Sequence, residues 1–239
     1  MKPSNRQRFA SLLVAASVLG AAQAPAVAHA GELIVEGRIN TTFITDTSFD
    51  ALSNENHVVG TWLGVGYDLG AYVLPGFRAY VLLDSTGLSR ERFNGALSMD
   101  WSRQVLMAAA DYGPDLWGFF RPSVRVGAGW ATQSLTLASA NPSVHDRTHD
   151  LAATAALGFE LYVPYTNDPA GPPLFNTITF GLGGHFGYMA QTTANFNDLR
   201  ADDDAYADSD PWQRAGSNFG ELDIDGLYWN LGLVVRFLL

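Results

Sequence analysis

Cysteine is absent from all 239 residues. That excludes disulfides, thiolate metal sites, a cysteine nucleophile and lipid attachment at a cysteine. Lysine is nearly absent too: Lys2 is the only one, so beyond residue 30 every basic side chain is an arginine. Eleven arginines there face 24 acidic residues, a formal charge of −13, which excludes the basic footprint that nucleic acid requires. Charge of either sign is scarce, at 16% of residues, against roughly a quarter in soluble domains. Outside the first thirty residues no apolar run reaches the length of a membrane helix. What is present instead is glycine, 24 residues, and 12% aromatics. Together these leave strands as the route across a bilayer.

The first thirty residues have the organisation of an export signal. Lys2, Arg6 and Arg8 form a basic start, residues 10–22 an apolar core, and Ala28-His29-Ala30 a small-x-small cleavage site. The core is too short to serve as an anchor. A mature chain beginning at Gly31, 209 residues long, is expected. Without disulfides, an exported chain of this size needs another source of stability, and closing a hydrogen-bonded barrel is one.

The strongest strand signal stands at the carboxyl end, residues 227–239. Leu227, Trp229, Leu231, Leu233, Val235, Phe237 and Leu239 form one apolar face. Tyr228, Asn230, Gly232 and Arg236 stand on the other with two apolar exceptions, Val234 and Leu238, because strand side chains alternate. Thirteen residues cross a bilayer as a tilted strand, which needs about 9–11, and fall short as a helix, which needs about 20. Seven further segments share the period. Residues 33–45 set Leu33, Val35, Ile39 and Phe43 against Glu36, Arg38 and Asn40. Residues 59–69 set Val59, Leu63, Val65 and Tyr67 against Gly60, Gly64, Gly66 and Asp68, and residues 77–83 set Phe77, Val81 and Leu83 against Arg78, Tyr80 and Asp84. Residues 97–109 carry Leu97, Met99, Trp101, Val105 and Met107 on an odd face that Arg103 interrupts. If that face meets lipid, a bulge or an arginine lying above the bilayer must absorb Arg103. Residues 120–132 set Val124, Val126 and Trp130 against Arg121, Ser123, Arg125 and Gly127. Residues 151–163 set Leu151, Leu157, Phe159 and Leu161 against Thr154, Gly158 and Glu160. Residues 178–190 set Phe180, Leu182, Phe186 and Tyr188 against Thr179, Gly183, His185 and Gly187. Eight is an even number, as bacterial single-chain barrels require.

Connections alternate in kind. Glycine and proline mark short turns at 69–76, 112–115 and 167–173. Polar, mostly longer connections are expected at 46–56, 85–95, 134–150 and 191–225. Short turns on one side and long loops on the other place both termini on the periplasmic side. Tyr67, Trp101, Trp130, Tyr188 and Trp229 suit the interfacial girdles. The expectation is a single all-β domain over residues 31–239, an eight-stranded antiparallel up-and-down transmembrane β-barrel.

On these patterns the mature chain resembles the small outer-membrane barrel families of the OmpA transmembrane domain, OmpX and OmpW. The resemblance spans the whole mature length and rests on no diagnostic motif. The closing strand resembles the family's assembly signal, departing from it by ending in Leu239 with Phe237 two residues earlier. It implies partners in outer-membrane lipid and lipopolysaccharide, engagement of the barrel-assembly machinery through the last strand, and a monomer. The sequence ends with that strand, so the peptidoglycan-binding domain of full OmpA proteins is not expected after the barrel.

An eight-stranded lumen can be filled by side chains, and buried charges demand partners. Glu36, Arg38, Asp68, Arg78, Arg121, Arg125, Glu160 and Arg236 are the candidate lumen network. Strand neighbours suggest Asp68 with Arg78, Arg121 or Arg125 with Glu160, and Glu36 with Arg236. Such a network either plugs the barrel or lines a narrow charged conduit.

Three other features could carry chemistry. His145-Asp146 and His149-Asp150 stand in an expected loop or at strand ends, where each pair suits a general base, half a metal site or plain solvation. The 191–225 connection holds nine acids against Arg200 and Arg214. Within it Asp202, Asp203, Asp204, Asp208 and Asp210 are weak candidates for a hard cation, without EF-hand spacing. His185 faces inward and is expected to be a hydrogen-bonded lumen residue. No cofactor, metal or catalytic site is expected. The expected role is a structural or surface-interaction barrel with acidic outer loops. A narrow porin, a rim-site hydrolase or lipid A-modifying enzyme, and a soluble lipocalin-type barrel are its rivals.

Overall fold

The computed structural model describes residues 31–238, except 54, 71, 93–96, 140–142, 164–177 and 202–217. The export signal, the 167–173 turn, the 202–210 acidic cluster and Leu239 lie outside the described residues.

Eight long strands form the wall: β1 (Glu32–Ile44), β2 (His57–Asp68), β3 (Phe77–Arg92), β4 (Leu97–Tyr112), β5 (Phe120–Ser139), β6 (Ser143–Tyr162), β7 (Ile178–Gln191) and β11 (Gly226–Leu238). Each pairs antiparallel with its chain neighbours, and β1 pairs with β11 from Glu32↔Leu238 to Ile44↔Gly226, so the sheet closes. Closure satisfies every strand's backbone ladder from both sides and removes the sheet edge. Short strands β8 (Ala194–Phe196), β9 (Arg200–Ala201) and β10 (Gly220–Leu222) and a 3₁₀ turn, η1 (Thr47–Ala51), sit at the end of the long loops. Glu32 and Leu238 are at the other end, with the short turns.

The wall is inverted relative to a soluble barrel. Val35, Ile39, Leu63, Val65, Val81, Leu157, Phe180, Phe186 and Leu233 are exposed outward, Leu157 to 65%. Glu36, Arg38, Arg78, Arg121, Arg125, Glu160 and Arg236 are buried inward. A soluble lipocalin-type barrel has the opposite arrangement and is overturned. Glycines on the inner face make room for large neighbours: a side chain at Gly66 would strike the Tyr80 ring, and one at Gly158 the His185 ring.

Two expectations are corrected here. β4 is in the opposite phase: Met99, Trp101, Arg103, Val105, Met107, Ala109 and Asp111 all point into the barrel, and Leu106 faces out. Its register with β3 and β5 is continuous from Leu97 to Tyr112, with no bulge. The apolar odd residues are there to pack inside, and Arg103 belongs with them. Second, 85–95 and 134–150 are not simply loops. β3 continues to Arg92, β5 to Ser139, and β6 begins at Ser143. At 20 residues each, β5 and β6 are about twice the length a bilayer needs.

The surplus length builds a sheet beyond the apolar belt. One row of register partners, Leu83↔Leu106↔Trp130↔Leu151, is the last apolar row of this wall. One step further the outward row reads Ser85↔Gln104↔Thr132↔His149. Past that boundary the apolar face switches to the inside. Met99, Trp101 and Leu135 pack with Ile44, Phe49, Leu52, Val58, Ala194, Phe196, Leu199, Leu222 and Ile224 into a second core. Phe49 meets Trp101 edge-on at 5.6 Å between ring centroids. Asp46 caps η1 by accepting the Ser48 amide at 2.7 Å. The expected girdle holds Trp130 and Trp229 exposed and Tyr67 and Tyr188 half-buried, while Trp101 is removed from it into this core.

Candidate functional site: the lumen charge network

Inward positions recur every second residue on eight tilted strands, so long side chains meet across a narrow lumen as well as along neighbouring strands. Glu36 accepts from Arg125 at 2.6 and 3.1 Å and from Arg38 at 2.8 Å. Arg125 continues to Asp111 at 3.2 Å, and Arg121 reaches the same carboxylate at 2.6 Å. The Asp111 carboxylate also lies 3.6 Å from His185 Nε2. Arg38 Nη1 closes the circuit at 2.6 Å from His185 Nδ1, with Asn230 Oδ1 accepting at 3.3 Å. Arg125 also lies over the Tyr80 ring, 4.2 Å from its centroid.

A second cluster sits nearer the short turns. Glu160 accepts from Arg236 at 2.6 Å and from Arg78 at 3.0 Å. Arg78 also reaches Asp68 at 3.2 Å and Glu32 at 3.5 Å. Arg121 donates to the carbonyls of Gly113 and Gly76, tying two turns to the lumen floor. A third, smaller cluster lies nearer the long loops. Asp84 accepts from Arg103 at 2.7 Å, from Asn40 at 3.1 Å and from Thr86 at 3.4 Å. Above it, Trp101 donates to Gln133 and Gln133 to Asp150, each at 3.0 Å.

The geometry brings together Asp68 and Arg78, which are register partners. It does not bring together Glu36 and Arg236, because the β1–β11 register sets Arg236 opposite Ile34 and Glu36 opposite Val234. Glu160 stands opposite Arg121 in register, but its close contacts are Arg236 and Arg78, while Arg121 and Arg125 meet on Asp111. Glu32, Asp84, Arg103 and Asp111 are network members that the sequence reading left out of the candidate set. The β4 pair was hidden by assigning its odd face to lipid. Counted together, Arg38, Arg78, Arg103, Arg121, Arg125 and Arg236 balance Glu32, Glu36, Asp68, Asp84, Asp111 and Glu160.

The two His-Asp pairs lie within β6 rather than in a loop, His145-Asp146 close to its beginning. Adjacent residues of a strand point to opposite faces, so His145 and His149 face outward and Asp150 is buried behind them. His149 contacts the Thr132 hydroxyl at 3.1 Å, and Asp150 accepts from Thr148 at 2.8 Å. The two members of each pair therefore point apart, and neither aspartate is placed to orient the histidine beside it. Among the described residues no group of three or more His, Asp or Glu side chains is placed to hold a metal ion.

No protein-family model matches the chain, and no curated protein matches it in sequence. Solved structures do. A major outer membrane protein of Thermus thermophilus superposes with a TM-score of 0.53 at 13% identity, over 87% of this chain and 100% of that one. The fold is that of the outer-membrane barrels. OprG of Pseudomonas aeruginosa matches at 12% identity and TM-score 0.47, over 88% of this chain and 98% of that one. Ail of Yersinia pestis, in complex with the heparin analogue sucrose octasulfate, matches at 11% and 0.47, over 87% and 99%. The closed eight-strand ladder and the Thermus match bear out the expected up-and-down architecture and, at the level of fold, the resemblance to the small outer-membrane barrels.

Proposed function

We propose that this protein is a non-conducting, non-enzymatic barrel of the bacterial outer membrane that holds a folded platform at the cell surface. The carrying observation is the filled lumen. From Arg78 and Glu160 near the turns, through Glu36, Arg125 and His185, to Asp84 and Arg103, the inward side chains are buried and mutually paired. Trp62 and Tyr228, stacked at 5.6 Å, fill the space between these layers. Moving a solute through would require separating ion pairs held in a low dielectric, which costs several kcal/mol for each charge left alone. The apolar core under the long loops adds a second closure.

Export and location are part of the proposal. The basic, apolar and small-x-small organisation of the first thirty residues supports secretion, and the apolar outer belt suits a bilayer. On this reading the long-loop end is extracellular. Single-channel recording of the folded protein in a planar bilayer tests closure. A flat baseline at 100 mV scale potentials, roughly 2.3 kcal/mol per charge, is expected; reproducible unitary steps would instead make it a narrow porin. Fractionation of cells tests the location independently.

A further inference from the structure

Residues 223–225, which link β10 to β11, are tied into a junction at the ends of the wall strands. Asp46 accepts the Ser48 amide at 2.7 Å, and the Ser48 hydroxyl accepts the Asp223 amide at 3.0 Å. The Asp223 carboxylate accepts the Asp225 amide at 3.1 Å. Asp225 accepts the Gln191 amide and the Tyr188 hydroxyl through its side chain. Through its carbonyl it accepts the Thr45 amide at 3.3 Å and the Thr45 hydroxyl at 3.2 Å. The junction thus fastens the end of β1 and the start of η1 to the end of β7 and the start of β11. Leu222 and Ile224 alternate with these aspartates and point the other way, into the upper core with Phe49 and Leu52. No cation sits among the three carboxyls: among the described residues Asp46, Asp223 and Asp225 have no ion-pair partner. Arg90 pairs instead with Glu55, and Arg200 with Asp198.

We propose that this junction is a pH-sensitive clasp of the loop-end platform, closed while Asp225 is protonated and loosened when Asp46, Asp223 and Asp225 are all ionised. The inference uses only the loop-end fold and needs neither the closed lumen nor the membrane location. The three carboxyls lie along one short chain of hydrogen bonds, so charging Asp225 adds repulsion that no neighbouring guanidinium offsets. Burial, with Asp223 and Asp46 nearby, pushes the Asp225 pKa up, against the opposing bonds from Gln191 and Tyr188. A raised folded-state pKa contributes stability that is present below the unfolded pKa and is lost as pH rises through the folded value. Asp46 is held low by the Ser48 amide and hydroxyl, so its own contribution is lost only at lower pH, as its folded value is crossed. The clasp is therefore tightest in mild acid and weaker towards neutrality. Because Asp223 and Asp225 alternate with Leu222 and Ile224, loosening it also unseats Phe49 and Leu52. The platform becomes pliant while the ladder below stays closed.

Amide hydrogen exchange tests this, read by NMR on the full mature chain folded in detergent with a chelator present. Protection factors, corrected for the intrinsic pH dependence of exchange, are compared at about pH 5 and about pH 8. Protection of the Ser48, Gln191, Asp223 and Asp225 amides is expected to fall at least about tenfold at the higher pH, while the β1–β11 ladder keeps its own. Asp225→Asn retains an acceptor but cannot ionise, and its protection is expected to differ by less than about twofold between the two conditions. Retained heat-modifiable gel mobility shows that the variant is folded. If it is not, Asp223→Asn serves, and is expected to shrink the fall by removing one of the repelling charges. Equal protection at both pH values in the wild type, protection that rises with pH, or a response undiminished by these substitutions would overturn the proposal. So would an equal loss across the β1–β11 ladder, which would mean that the barrel opens as a whole.

Discussion

Arg103 shows most directly what a single side chain does in this barrel. It is fully buried, and its guanidinium meets one carboxylate, Asp84, at 2.7 Å. Removing that partner alone strands a cation in a low-dielectric lumen, at a cost of about 3–5 kcal/mol, whereas replacing both by apolar groups restores a neutral core. Asp84→Ala is therefore expected to be far less stable than Asp84→Leu with Arg103→Met. Urea unfolding followed by tryptophan emission measures both, and equal losses would show that the ion pair is not the source. At the loop end, two aspartates are perturbed in opposite senses. The amide and hydroxyl of Ser48 hold the Asp46 carboxyl below the usual range, while burial, with Asp223 nearby, pushes Asp225 up. The lowered Asp46 contributes stability that is present above its unfolded pKa and is lost as pH falls through its folded value. Asp225 does the reverse, favouring the folded state when protonated and losing that contribution as pH rises through its raised value. Carboxyl NMR titration should separate the two, Asp46 titrating below ordinary aspartate and Asp225 above; a common midpoint would contradict the described contacts.

At the level of elements, β4 and its neighbours carry the chain across two environments without changing period. Below the Leu83–Leu106–Trp130–Leu151 row the outward face is apolar; beyond it the inward face is, at Trp101 and Leu135. Cysteine labelling reads this directly, since the chain has no native cysteine. In folded protein a fluorophore at Ala108→Cys is expected to label and emit blue-shifted light from lipid, while Met107→Cys stays unlabelled in the lumen. The reverse would restore the lipid-facing odd face. Arginine at Leu157 or Val126, on the apolar wall of neighbouring strands, should cost about 2–4 kcal/mol near the midplane. The upper core makes a separate prediction. Phe49→Ala or Trp101→Ala should cost about 3–5 kcal/mol in the loop-end structure. Limited proteolysis should then cut that end while the closed ladder below remains protected, and simultaneous loss of both would mean that they fold as one unit.

For the whole molecule, closure is what makes a charged interior tolerable. Eight strands leave no unpaired edge, and six guanidiniums and six carboxylates neutralise one another around a lumen too narrow for them to hydrate fully. The outer wall offers lipid an almost uniformly apolar surface. A single-chain mass is accordingly expected by sedimentation in density-matched detergent over a tenfold concentration range; a concentration-dependent dimer would point to an interface on the wall or platform.

Alternation by itself determined the eight strands, their order and the inside-out wall. Val35, Leu63, Val81, Leu157 and Leu231 betray the lipid face because a strand permits two directions and the bilayer accepts only one kind of side chain. Composition left no apolar run beyond residue 30 long enough for a membrane helix, for an equally local reason. The pairing of Arg78 with Asp68 was legible because both flank one short turn and register follows turn length. Tertiary structure alone decided the rest. Period two does not say which face is inside, so β4, apolar on its odd face, could be phased only by its partners Asp84 and Gln133. Nor does it say where the bilayer ends, so the switch at Leu106 and Trp130 was invisible and the strand extensions passed for loops. Glu36 meets Arg125 rather than Arg236 because the contact spans the lumen, and distance across a closed barrel depends on strand tilt and stagger, which no single segment contains.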